Sequence, residues 1–240
     1  MPGGPVRDAC VAPNLFSVIV WSRSPLEICG MENLQVKRNG KGKEITGIIA
    51  GIAVLVLSFY FLGINLHFFR MTPEDLGKYV NVKWIILLHI AGGAVALITG
   101  PFQFWDRLRL KNRLIHRRLG WAYCAGVFIS SSCAIWLSAT TAFQINWAYA
   151  FSLHIWIGVW IISSHIALMA AIRKKFVLHK EWMWRSYIAT LAFVVSATLL
   201  KLPVVQQLGT FAEIGPSFFW LGWAVPMFLY EVTRSFKARK

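Results

Sequence analysis

Six long apolar runs, at residues 45–69, 84–105, 119–142, 148–172, 184–205 and 214–230, alternate with short polar segments along the chain. Each is near the roughly 20 residues that a helix needs to cross a bilayer. A chain in lipid must satisfy its own backbone polar groups, which only helices and closed barrels do. Runs of this length predict an all-α polytopic helix bundle with about six transmembrane helices. The fifth run carries Lys201 near its end and the sixth Pro226, so their spans rest on snorkelling and on backbone groups satisfied by neighbours. Residues 1–44 form a leader broken by Pro2, Pro5, Pro13 and Pro25 and are expected to be disordered; residues 45–234 form the membrane domain and 235–240 a basic tail. Met31 opens the polar basic stretch MENLQVKRNGKGKE and is the expected natural start.

The composition agrees with lipid as the solvent: 57% of residues are hydrophobic and 12 are Trp, a residue favoured at the bilayer interface. A formal charge of +15 raises the question of nucleic acid, but the Lys and Arg side chains sit in short connections rather than on one polar face. Nucleic acid is therefore not expected as a partner. The placement reads as topology. Lys37 to Lys43, Arg107 to Arg118, Arg173 to Arg185 and Arg234 to Lys240 are the basic segments, whereas the connections near Thr141 and Gln206 carry almost no charge. Lys and Arg stay on the cytoplasmic side during insertion, so both termini are expected in the cytoplasm and the protein in the bacterial inner membrane. The same basic segments suit anionic lipid headgroups, which makes membrane lipids expected partners.

Six histidines are the candidate chemistry. On this topology His67, His89 and His154 lie toward the outer side and His116, His165 and His179 toward the inner side. His154 and His165, 11 residues apart, face one way on the fourth helix, about 16.5 Å of rise apart. Gly158 shares their stripe, and Gly92, Ala96 and Gly100 form a small-residue face behind His89. Such a face serves either tight helix packing or the close approach of a planar group. His89 and His154 sit at matched depth, and as axial ligands of a haem iron they would make the chain a haem b protein moving electrons across the membrane, with a quinone or other redox partner. A helix-end histidine is also an ordinary interfacial group, and that reading covers His67.

Three segments, HIAGGAVALITGPFQF from His89, HRRLGWAY from His116 and HKEWMWRSYIATLAF from His179, together resemble an uncharacterised family of bacterial multi-pass membrane proteins, a domain of unknown function. The resemblance spans roughly residues 45–230 and implies no established activity. It implies motif positions at His89, His116, Arg117, His179, Trp182, Met183 and Arg185, but not at His154 or His165. This draws attention to the inner side, where His116, Arg117, His179, Trp182 and Arg185 would form a basic pocket for an anionic ligand. The second functional reading is thus a non-enzymatic lipid- or small-molecule-binding membrane protein, or a transporter. The chain has no GxxxxGK, HExxH, CxxC or GxSxG motif, so ATP-driven transport and familiar hydrolase chemistry have no support.

Overall fold

The computed structural model describes residues 51–238 together with Gly47 and Ile49, and over these residues it is helical with no strand. The leader and the expected start at Met31 lie outside the described residues. Helix α1 (Gly51–Ile64) is followed by a 3-10 turn (Leu66–Arg70), the single turn α2 (Pro73–Leu76) and a second 3-10 stretch (Gly77–Val82). Then come α3 (Lys83–Gln103), α4 (Asp106–Lys111), α5 (Arg113–Leu137), a π turn (Ser138–Ala142) and α6 (Trp147–Ile172). Helices α7 (Phe176–Leu199), α8 (Pro203–Gln206) and α9 (Phe211–Ala238) complete the chain.

Local chemistry explains several of these boundaries. Thr72 caps α2 by accepting from the Asp75 N–H, with Pro73 at the first helical position where its missing N–H costs nothing. Asn146 caps α6 by accepting from the Tyr149 N–H at 2.7 Å, and its amide also donates to Ala212 O of α9. At the end of α5, Thr140 and Thr141 hydroxyls donate back to Trp136 and Leu137 carbonyls, each at 2.8 Å. Hydroxyls that compete for carbonyls in this way disturb a regular ladder, and here the helix widens into the π turn.

The bundle interior mixes aliphatic and aromatic side chains with small hydroxyl residues, and large apolar side chains also face outward. Ser58, Ser130, Ser138, Ser152, Ser163, Ser186 and Ser196 are buried, while Phe128, Ile162 and Leu229 point outward. Small hydroxyl residues let helices approach and bond across the interface when lipid gives no hydrophobic drive between them. The closest crossing is that of α3 and α5. A Cβ placed on Gly126 would sit 2.6 Å from Gly92 O, and one on Gly92 would sit 2.9 Å from Gly126 O and from Ser130 N. Gly100 similarly admits the Tyr187 ring, whose hydroxyl donates to Leu97 O at 3.1 Å. The stripe at positions 92, 96 and 100 is therefore a helix-packing face. Gly158 has open space beside it instead.

Among the described residues, three segments are long and apolar enough to cross a membrane: Pro73–Gln103, Arg113–Ala142 and Trp147–Ile172. The other three expected spans correspond to α1, α7 and α9, of which α7 and α9 have 24 and 28 residues but are less apolar than those three. The structure moves some expected edges. The connection from Arg107 to Arg118 is not a loop but α4 and the opening turns of α5, and α9 continues through the expected tail boundary to Ala238. Helix α7 ends at Leu199, ahead of Pro203, rather than at Val205.

Candidate functional site

A cavity of about 280 Å³ lies among α1, α3, α5, the π turn, α6 and α7, lined mostly by apolar and aromatic side chains. His89 is in its wall. The α3–α5 crossing fixes this ring: His89 Nδ1 lies 2.9 Å from the Ser130 carbonyl, and the Ser130 hydroxyl donates to His89 O at 2.9 Å. A carbonyl only accepts, so Nδ1 carries the proton and donates, which leaves Nε2 of the neutral ring as an acceptor. The π turn adds Ser138 and Thr141 to the lining.

Trp156, Trp160, Phe193 and Thr190 line the cavity from α6 and α7. Trp156 stacks on Phe193 with ring centroids 5.9 Å apart, and its indole N–H donates to Ala189 O at 3.0 Å. Behind Thr190 runs a buried hydroxyl network. Trp160 Nε1 donates to Thr190 Oγ1 at 2.9 Å, Tyr123 OH lies 2.9 Å from Thr190 Oγ1 and 2.6 Å from Ser186 Oγ, and Ser186 lies 2.7 Å from Ser164 Oγ. Each member has a partner, so the network ties α5, α6 and α7 together without an orphaned hydroxyl.

Among the described residues, three polar side chains of the lining have no hydrogen bond or ion pair: Lys78, Tyr79 and Tyr149. Lys78 Nζ lies 5.1 Å from the Tyr79 ring centroid. Tyr149 is 8% exposed, and its hydroxyl is within electrostatic range of that of Tyr79. No sequence signal singled these out, because they come from the 3-10 stretch before α3 and from the first turn of α6.

The outer histidine pair does not share one space. His154 is absent from the cavity wall; its Nδ1 donates to Ala150 O of its own helix at 2.7 Å, and its Nε2 faces Ser138 Oγ at 3.2 Å. The space beside His89 is occupied by Phe193, edge-on at 6.4 Å, and by the Trp156 ring stacked on it. Residues so arranged do not fit a haem held between His89 and His154. His165 is exposed on the outside of α6, and His67 bonds its own turn at Ile64 O. Among the described residues, no group of three or more His, Cys, Asp or Glu converges as a metal set.

The inner residues divide into two clusters. His116 lies within electrostatic range of His179 and Arg109, and His179 donates from Nδ1 to Ala167 O at 2.9 Å. His116 Nδ1 and Gln103 Nε2 are buried without a partner, on either side of the Gly120 turn. Arg117 is exposed. Arg185 belongs to the second cluster, toward α9: its Nε and Nη2 both lie 2.6 Å from Glu231 Oε1, and its guanidinium sits 4.7 Å from the Trp182 ring and 5.3 Å from that of Tyr230. Glu181 in turn pairs with Arg234 at 2.7 Å. The charge of Arg185 is thus met by an acid 46 residues away in sequence, which the reading of the basic segments left out.

Residues 86–233 match the model of the family described as "Predicted membrane protein (DUF2306)", and the chain belongs to this membrane protein family of unknown function. No curated protein and no solved structure matches the chain.

Proposed function

We propose that this protein binds a small, largely apolar molecule inside the membrane bundle, with His89 as the acceptor for a hydroxyl or amine of that ligand. The carrying observation is the pairing of an aromatic-walled cavity with a histidine whose donor side is locked to Ser130, leaving its acceptor side for a guest. Apolar pockets with one or two fixed polar groups are the usual form of small-molecule sites, and roughly 300–1,000 Å³ is typical for drug-sized ligands. About 280 Å³ points to a smaller guest. The bundle sits, on this reading, in the bacterial cytoplasmic membrane with six spans and both termini inside, so the cavity belongs to its outer half.

The test uses 8-bromooctanol as a neutral apolar probe. Its bromine quenches nearby indoles, and Trp156 and Trp160 line the cavity. In nanodiscs, wild type should show a saturable quenching component that disappears in Ala134→Phe, which fills the cavity, and shrinks in Trp156→Phe. Ala94→Leu serves as a second filling variant. Quenching that is linear in probe and equal in all four proteins would leave only partition into lipid, and the reading would fail. A haem b band in the reduced absorption spectrum, weakened by His89→Ala and by His154→Ala, would replace it with transmembrane electron transfer; the geometry predicts a spectrum without that band.

A further inference from the structure

Lys78, Tyr79 and Tyr149 stand together at one end of the cavity and give it a feature that an apolar guest alone does not need. We infer that they form a subsite for the anionic headgroup of a small amphiphile, a carboxylate or phosphate whose short apolar body occupies the cavity. This rests on the binding reading above and names the ligand class.

Three observations carry it. Lys78 is an exposed residue that also lines the cavity, and among the described residues it has no ion pair although Glu74 and Asp75 are close in sequence; the Asp75 carboxylate instead accepts from the Thr72 hydroxyl at 2.9 Å. Tyr149 is a buried residue whose ring packs edge-on against Phe211 and Phe219 while its hydroxyl has no protein partner. A phenol hydroxyl on a cavity-lining residue with no protein partner has its donor free for a guest that accepts from it. The Tyr79 hydroxyl is the third donor, on a residue that lines the same cavity and whose ring centroid lies 5.1 Å from Lys78 Nζ. All three are donors, and an ammonium and two phenols lining one cavity complement an oxyanion. The approach to α3 holds the cluster in position: Gly77, at φ +51, turns the chain out of α2, and Lys78 and Tyr79 follow directly in the 3-10 stretch.

The head then sits at Lys78, near the membrane surface on the proposed topology, and the tail points toward Trp156 and Phe193. His89 accepts from a hydroxyl along the body where the ligand has one. A guest of this kind enters from the outer leaflet or the outer aqueous phase, since the donors mark that end.

The experiment compares 8-bromooctanoate, octyl phosphate and 8-bromooctanol on the full chain in nanodiscs of neutral lipid. Binding of the first and last is read by indole quenching, and that of octyl phosphate by displacement of 8-bromooctanol. Wild type should bind one or both anions at least tenfold more tightly than the alcohol. Lys78→Met should remove that preference, a loss of roughly 10–100-fold for the anion, with affinity for 8-bromooctanol unchanged. Tyr149→Phe should weaken the anion severalfold and likewise spare the alcohol. Preference for octanoate alone identifies a carboxylate head, and preference for octyl phosphate alone a phosphate head. If the alcohol binds saturably but Lys78→Met affects all three ligands equally, or none, the anion subsite is wrong while the cavity reading stands. If the alcohol does not bind saturably, the cavity reading itself is wrong.

Discussion

Replacing Gly126 by Ala tests the link between helix packing and the cavity. An Ala Cβ there would lie 2.6 Å from Gly92 O and 3.0 Å from Ala96 N, both backbone atoms with no rotamer to escape into. Comfortable carbon–oxygen contacts run about 3.3–3.6 Å, so α3 and α5 must part by roughly 0.7–1 Å. His89 Nδ1, now 2.9 Å from Ser130 O, would then lie beyond hydrogen-bonding range, as would the Ser130 hydroxyl from His89 O. Losing two interhelical bonds at about 0.6 kcal/mol each, with about 1–3 kcal/mol of overpacking, outweighs the 0.5–1 kcal/mol that Ala gains over Gly in a helix. The net loss is about 1.5–3.5 kcal/mol. Gly158→Ala is the reference, since nothing lies within 4 Å of that Cβ, and it should be neutral or slightly stabilising. Reversible unfolding in mixed micelles measures both, and 8-bromooctanol quenching reports whether the freed His89 ring disturbs the cavity. The reasoning is refuted if Gly126→Ala is as stable as Gly158→Ala, or if it is destabilised with probe binding unaltered.

Tyr123→Phe removes the centre of the α5–α6–α7 hydroxyl network and should cost about 1–3 kcal/mol in the same unfolding assay, because Ser186 and Thr190 each lose a buried partner; a change below about 0.5 kcal/mol would show that water replaces the phenol. Arg185→Lys keeps the charge but loses the contact of both Nε and Nη2 with Glu231 and the planar fit against Trp182, so it should destabilise nearly as much as Arg185→Gln; full retention of stability by the Lys variant would reduce the contact to simple charge pairing. For topology, reporters after Lys240 and within residues 112–118 should both read cytoplasm and one near Gln144 the outside. A periplasmic tail would mean that α7 or α9 does not span.

The sequence shows helices wherever charge is absent, and shows them less well where charge continues into a helix. The runs containing His89, Cys124 and His154 map onto α3, α5 and α6 because twenty uncharged residues have no alternative in lipid. The stretch from Arg107 to Arg118 reads as a loop by its basic residues, yet most of it is helical, since Arg and Lys are good helix formers at a membrane surface. His89 and the small face behind it are legible from spacing alone. Its partner Ser130 is not, because a histidine–carbonyl bond across 41 residues leaves no local pattern. The same holds for Glu231 beside Arg185, and for Lys78, Tyr79 and Tyr149, which come to one cavity only through the packing of two separate segments. His116 and His179 lie within electrostatic range of each other, whereas Arg185, grouped with them by position, turns toward α9.

The exchange of charges between α7 and α9 bears on how the protein is made. Glu181 and Arg185 leave the ribosome well before Arg234 and Glu231, the residues that neutralise them. Until α9 arrives, Arg185 lacks Glu231 and Glu181 lacks Arg234, and the two stand four residues apart on α7. Helix α7 is therefore expected to reach its final charge pairing only together with α9. Synthesis halted between residues 207 and 225 should leave it loosely held and extractable, and completion of α9 should lock it in place. The last helix thus supplies the counter-charges of the one before it, and chains truncated ahead of Glu231 should leave Arg185 without its acid partner on α9.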